Sequence, residues 1–331
     1  MLRIDMKKGL IILLIITVLF AFLASAGSED SIVVCASTEQ FRNDALQEQL
    51  NERFPQYNVI VMYMSTGKAA AKVYAEGSHS EMDILLGLET GYLNKIKGSL
   101  ADISGISRIP YLEGVSLADN GNRWATWERQ AGAIVYNTEV LEKHGLEVPK
   151  TYEDLLKPEY KGLVAMPDPK SSGTGYFFYK SWVNAWGDQA ALEYVDKLYG
   201  NLKQFTESGS GPIKMLKQGE IAVGLALTFQ AINEINNGQP FGIVFPENGS
   251  PYSLTGSAII EGHQDKDGVK EVFDYIIHDF LIYDKENFSP EQIYEGQINR
   301  IPNYPADILY ADMAGIQDDR EKERLLALWK Y

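Results

Sequence analysis

Ser31-Ile32-Val33-Val34-Cys35-Ala36-Ser37-Thr38-Glu39 is a β-branched apolar run that gives way to small hydroxyl residues, and the same figure recurs downstream. It reads as a strand whose far end opens into a helix. Phe41 to Phe54 follows with Leu46, Leu50 and Phe54 four apart, the spacing of one helical face. Asn58–Tyr63 reads as the next strand and Lys68–Glu76 as the next helix. Met82–Gly87 is a third strand and Gly91–Lys97 its helix. A βαβαβ order within about 70 residues makes a parallel sheet with crossover helices, the mark of an α/β fold.

A second series begins mid-chain. Gly162–Met166 reads as a strand, Gly175–Ala185 and Gln189–Leu198 as helices, and Pro212–Lys217 as a short helix. Ile221–Leu227 is a strand, Phe229–Asn236 a helix and Gly242–Phe245 another strand. Between the two series lies the apolar run Gly132–Tyr136, and Leu254–Ile260 is similar. Chain crossings at 131–137 and 251–256 make two discontinuous lobes, one of 30–130 plus 255–331 and the other of 138–250. Small ligands bind in clefts of this kind.

The N-terminus reads as an export signal. Arg3, Lys7 and Lys8 precede an apolar run from Gly9 to Leu23, and Ala24-Ser25-Ala26 supplies a small-x-small cleavage site, so 1–26 is read as a signal peptide. An uncleaved anchor is the alternative, although roughly 15 apolar residues fall short of the ~20 that span a bilayer. Either way the chain is expected outside the cytoplasmic membrane, in the periplasm or at the cell surface. A lipid-modified Cys35 is disfavoured, because Ile32-Val33-Val34 lacks the small residue such a site needs. With one Cys and a formal charge of -15, an intramolecular disulfide is excluded and nucleic acid is a poor partner. No cofactor is indicated.

In open parallel sheets, ligands sit beyond the carboxyl ends of the strands. Those ends carry Ser37, Thr38 and Glu39; then Ser65, Thr66 and Gly67; then Gly87 and Glu89. The second series adds Asp168-Pro169-Lys170-Ser171-Ser172-Gly173-Thr174-Gly175 and Glu207-Ser208-Gly209-Ser210-Gly211. Hydroxyls and glycines at a helix start have two uses. They cap free N–H groups, or they hold an anion through those groups, the hydroxyls and the helix dipole. Ser171–Gly175 is the most specific of the five, with three hydroxyls and two glycines in five residues.

Three stretches carry a resemblance to a known family. These are Ser65-Thr66-Gly67-Lys68 through Asp83-Ile84-Leu85-Leu86-Gly87-Leu88, then Pro167 to Tyr176, then Ser208-Gly209-Ser210-Gly211-Pro212-Ile213-Lys214 with Gln218 to Gly224. From about Ile32 to Ile260 the chain resembles the extracellular solute-binding proteins grouped with ferric-iron, 2-aminoethylphosphonate and hexose-phosphate binders. The resemblance implies a two-lobed periplasmic-binding-protein fold of type 2, with a hinge and an interlobe cleft. It also implies a monomer that delivers a small, anionic solute to an ABC permease and ATPase.

Ferric binders of that family use a His after the first strand, an acid after the third and two adjacent tyrosines. Matched by local motif, those positions fall near Glu39, near Leu88-Glu89 and at Phe229-Gln230. Fe(III) wants several oxygen ligands, yet Phe229 offers none and Gln230 only a neutral carbonyl. Tyr252 and Tyr304 remain as substitutes, which keeps iron as the alternative solute. For an anion, Arg129 in Trp127-Glu128-Arg129-Gln130 is the candidate cation, with a salt bridge to Glu128 as its plainer role. Trp127, Phe229 and Tyr252 are candidates for stacking on the organic part of a solute, or for core packing.

An enzyme is the rival class. The sequence holds no Gly-x-Ser-x-Gly elbow, His-Glu-x-x-His, complete P-loop or dinucleotide fingerprint, and its four His are scattered. A surface adhesin would show repeats, stalks or disulfides, and none is present.

Overall fold

A computed structural model describes residues 31–112, 114–115 and 121–331; the leader read at 1–26 lies outside them. The expected alternation is present. β1 (Ser31–Ala36), β2 (Asn58–Tyr63) and β3 (Ile84–Glu89) run parallel, with β1 in the middle. They are linked by α1 (Gln40–Arg53) and α2 (Thr66–Glu76), and α3 (Thr90–Lys95) follows β3. Leu46 and Leu50 of α1 are fully buried beside Ile32, Val34 and Ile84, as the four-residue spacing requires.

β4 (Ala125–Asn137) is a 13-residue strand that joins the two halves. Its residues 125–131 pair with β9 (Tyr252–Ile259), and from Gly132 onward it pairs with β7 (Val223–Leu227) and then β8 (Phe241–Val244). α4 (Thr138–His144), β5 (Val164–Pro167), α5 (Gly173–Trp186), α6 (Asp188–Tyr199) and β6 (Leu202–Thr206) come next. α7 (Gly211–Lys217) precedes β7, and α8 (Thr228–Asn236) follows it. The sheet order is β2-β1-β3-β9-β4-β7-β5-β6, with β8 on β4. After β9 come α9 (Val269–Tyr275), a π-helical turn at Ile276–Phe280, α10 (Leu281–Asn287) and α11 (Asp319–Leu328). Among the described residues no helix is long and apolar enough to cross a membrane.

Two sets of buried clusters match the two halves. One gathers around Ile84, Trp127 and Phe280, with a satellite at Leu85 and Trp124. The other is built on the aromatic run of α5, Tyr176 to Trp182, with a satellite at Ile213 and Leu216. The sequence reading places all of 255–331 in the first half. The packing corrects it at the end of the chain: Ala311, Met313, Ile316, Leu325 and Trp329 lie in the core around α5. The chain therefore crosses a third time, where Ser250 N–H donates to Leu309 O at 2.7 Å and Ala311 N–H to Ser250 O at 2.9 Å.

Candidate functional site

β1, β3, β5 and β7 all end at the boundary between the halves. On the first half, Thr38 lies beyond β1, and its methyl packs where a side chain on Gly87 would lie. A Cβ there would stand 2.9 Å from Thr38 Cγ2 and 3.5 Å from Trp127 Cδ1, and φ is +72°. Glycine is required on both counts. The β3–β9 register slips between Leu85 and Leu88, and the β4–β9 register between Thr126 and Glu128. These two bulges bring Gly87 and Trp127 together.

Glu89 is the meeting point of the halves. Its backbone N–H donates to Thr66 Oγ1 at 3.0 Å, and its buried side chain reaches the first turn of α5. Oε2 lies 2.5 Å from where a Cβ on Gly173 would stand. The Lys322 ammonium of α11 is 3.3 Å from Glu89 Oε1. Thr174, next along, is covered by the β6–α7 loop, with Oγ1 2.3 Å from a Cβ built on Gly209.

Two cavities flank this contact. One of about 580 Å³ is lined by Glu39 and Phe41 from the first half and by Ser210, Ile213, Phe229 and Gln230 from the second. Two polar atoms on this β7–α8 turn, Gln230 Oε1 and Thr228 Oγ1, are buried with no hydrogen-bond partner. The other cavity, about 140 Å³, lies between Tyr92 and Lys95 of α3, the Ser171–Gly173 turn, and Lys322.

Of the residues singled out from sequence, Glu39, Ser210, Phe229 and Gln230 share the larger cavity, while Ser171, Ser172 and Gly173 line the smaller. Thr38, Gly87 and Trp127 pack together, while Glu89 meets Gly173 and Thr174 meets Gly209 at separate contacts. Ser172 is the N-cap of α5, its Oγ accepting from Gly175 N–H at a long 3.5 Å. The Ser37 hydroxyl is used locally, donating to Met64 O at 2.8 Å. Ser65 and Ser208 are exposed, the latter 3.2 Å from Ser210 Oγ. Gly67 packs near Tyr92.

Two expectations need correction. Arg129 lines neither cavity. Its guanidinium sits over the Tyr310 ring at 3.9 Å and the Tyr252 ring at 5.0 Å, and Glu128 is paired with Arg42, not with Arg129. Tyr252 belongs to that aromatic seat, edge-on to Tyr310. Nearby, Glu291 accepts hydrogen bonds from Tyr304 and Tyr310; burial pushes its carboxyl up, and the two phenols and Arg129 offset part of that. Trp127 is a core residue, stacked on Phe280 at 6.0 Å. The cations that line the cavities are lysines, Lys95, Lys170 and Lys322 at the smaller and Lys214 and Lys217 at the larger; Lys322 lies in a charge-rich helix whose sequence looks like a solvated face.

The arrangement can bind and enclose a small molecule. Its donors are the first-turn N–H groups of α5, hydroxyls and lysine ammonium groups; its acceptors include Glu39 and Gln230. Among the described residues no three His, Cys, Asp or Glu side chains gather as a metal site.

A model of the bacterial extracellular solute-binding proteins matches residues 45–290. An uncharacterized protein of Haemophilus influenzae is 36% identical over 142 residues, 43% of this chain; the match spans only 41% of that protein's length. Among solved structures, the chain is similar to the periplasmic binding protein AfuA from Actinobacillus pleuropneumoniae with exogenous fructose-6-phosphate bound. That likeness has a TM-score of 0.78 at 23% identity, over 91% of this chain and 98% of the other. The periplasmic binding protein P5PA gives 0.76 at 22%, over 91% and 98%. A ferric binding protein from Campylobacter jejuni gives 0.71 at 15%, over 90% and 99%. At such identities the likeness is one of fold: two α/β lobes around a cleft.

Proposed function

The chain belongs to the bacterial extracellular solute-binding proteins, and from that premise we propose that it is the receptor of an ABC importer. It captures a small solute bearing an oxyanion, such as a phosphonate or phosphate ester, and delivers it to a membrane permease and ATPase. It works outside the cytoplasmic membrane, as a monomer and without catalysis. Closure pivots on the crossings at 131–137 and 251–256 and on the third crossing near 309–311.

The observation that carries this reading is the meeting of Glu89 with the start of α5. There the Ser171–Gly173 turn, at the positive end of a 14-residue helix, faces Tyr92 and Lys95 of the first half across the cleft. Hydroxyls and free first-turn N–H groups are what an oxyanion needs. Glu39 and Gln230 are left for hydroxyl or amino groups elsewhere on the solute. The ferric alternative is less well supported: Phe229 has no oxygen to give, and the substitute tyrosines are engaged elsewhere, Tyr252 under Arg129 and Tyr304 on Glu291.

Native mass spectrometry of protein purified without refolding tests the proposal. A retained small molecule containing phosphorus or carboxylate supports it, and a retained bare metal ion rejects it.

A further inference from the structure

We propose that Lys322, carried by the C-terminal helix, is the cation that selects an oxyanion in this cleft, and that Glu89 is the carboxylate an arriving anion displaces from it. The inference rests on the oxyanion reading above and adds a residue and a mode of selection to it. α11 is fixed to the second half. Leu325 and Trp329 lie in that core, Glu321 pairs with Lys180 at 3.1 Å, and Arg324 is forked onto Asp188. From that anchorage the Lys322 ammonium reaches the first half. It stands 3.3 Å from Glu89 Oε1 and 5.0 Å from the Tyr92 ring, with the Tyr176 ring of α5 at 4.8 Å. Its side chain is only 15% exposed.

Three features favour selection over a plain surface pair. The ammonium borders the same 140 Å³ cavity as Ser171, Ser172 and Gly173, so an anion held by that turn lies within its reach. Lys95 and Lys170 also line the cavity, so with Lys322 three ammonium groups stand there against the two carboxylates of Asp319 and Glu323. Finally, both oxygens of Glu89 are engaged, Oε1 by Lys322 and Oε2 against the backbone at Gly173. A pair of this kind disfavours cations and yields to an anion, because the anion replaces the carboxylate at the ammonium and the helix end together.

The test is calorimetric titration of the mature chain with inorganic phosphate, fructose 6-phosphate and 2-aminoethylphosphonate. For whichever probe binds, Lys322→Gln should weaken binding about tenfold or more, and Lys322→Arg should stay within about threefold of the parent. Glu89→Gln removes the competing carboxylate and should tighten binding about two- to tenfold. A structural ion pair would instead make both Gln variants weaken binding alike. That result, or unchanged affinity in Lys322→Gln, overturns the proposal and leaves the oxyanion reading standing. A parent chain that binds none of the three probes overturns both.

Discussion

Arg42 and Asp284 are joined by two hydrogen bonds, Nε to Oδ1 at 2.8 Å and Nη2 to Oδ2 at 2.7 Å, across 242 positions of sequence. The same guanidinium donates to Glu128 Oε2 and to Glu39 Oε2, each at 2.9 Å. Lys285 completes the charge on Asp284 at 2.8 Å, and Ser289 donates to Glu128 at 2.7 Å. Glu39 lines the larger cavity, Glu128 lies on the crossing strand and Asp284 on α10. One buried arginine thus holds a cleft loop to the strand that links the halves.

Arg42→Met leaves Asp284 with Lys285 alone and Glu128 with no cation, both buried, and should cost about 3–5 kcal/mol, far more than an exposed pair. Burial pushes the Asp284 carboxyl up, but Arg42 and Lys285 outweigh it and hold the group below the usual carboxylate range. A carboxyl depressed in the folded state adds stability above its unfolded pKa of about 3.9 and loses it as pH falls toward the folded value. Thermal melts from neutral pH downward should show the parent weakening below about pH 4 and Arg42→Met weakening at higher pH. A variant melting within about two degrees of the parent contradicts this account.

Gly175→Ala tests why the Ser171–Gly175 turn is rich in glycine. A Cβ at 175 would lie 2.4 Å from Pro167 O and 2.6 Å from Asp168 C. Both are backbone atoms that cannot swing aside. The expected loss is about 1–3 kcal/mol, read as a lower melting temperature. An unchanged melt would mean that the turn relaxes freely.

Trp329→Ala tests the place of the C-terminal segment. The indole is 2% exposed, 4.9 Å from the Tyr179 ring and 5.5 Å from the Phe205 ring. Its removal should cost about 3–5 kcal/mol. A cost below about 1 kcal/mol would mean that the segment is a loose tail.

The alternating elements up to Ile260 were legible because each strand is an apolar run closed by glycine or hydroxyl residues. β6 was not. Its Lys203 and Gln204 are exposed on a sheet edge, so no burial pattern marks it. α11 is hard to read because it opens on six charged residues, Asp319 to Arg324, and Leu325 is the one side chain of the helix that is fully buried, with Trp329 just beyond its end. Lys322 could not be paired with Glu89 from sequence, since folding alone brings together residues 233 positions apart. Arg129 was misread for a geometric reason: neighbours on a strand point to opposite faces, so Glu128 turned to Arg42 and Arg129 to Tyr310. The glycines of the β5–α5 turn were read as room for a ligand. At Gly175 that room is taken by the chain itself.

The central claim is that the Ser171–Gly173 turn holds the solute's oxyanion, and calorimetric titration of Ser171→Ala and Ser172→Ala beside the parent tests it most directly. With phosphate, fructose 6-phosphate, 2-aminoethylphosphonate and ferric citrate as probes, at least one phosphorus oxyanion should bind the parent one-to-one. Each lost charge-assisted hydrogen bond should cost about 1.5–3 kcal/mol, roughly 10- to 150-fold in affinity. The unliganded melt should fall by no more than the cap's share, about 1 kcal/mol or less. Binding of ferric citrate alone, or oxyanion affinity unchanged in both variants while their melts fall, would contradict the account and reduce the turn to a helix cap.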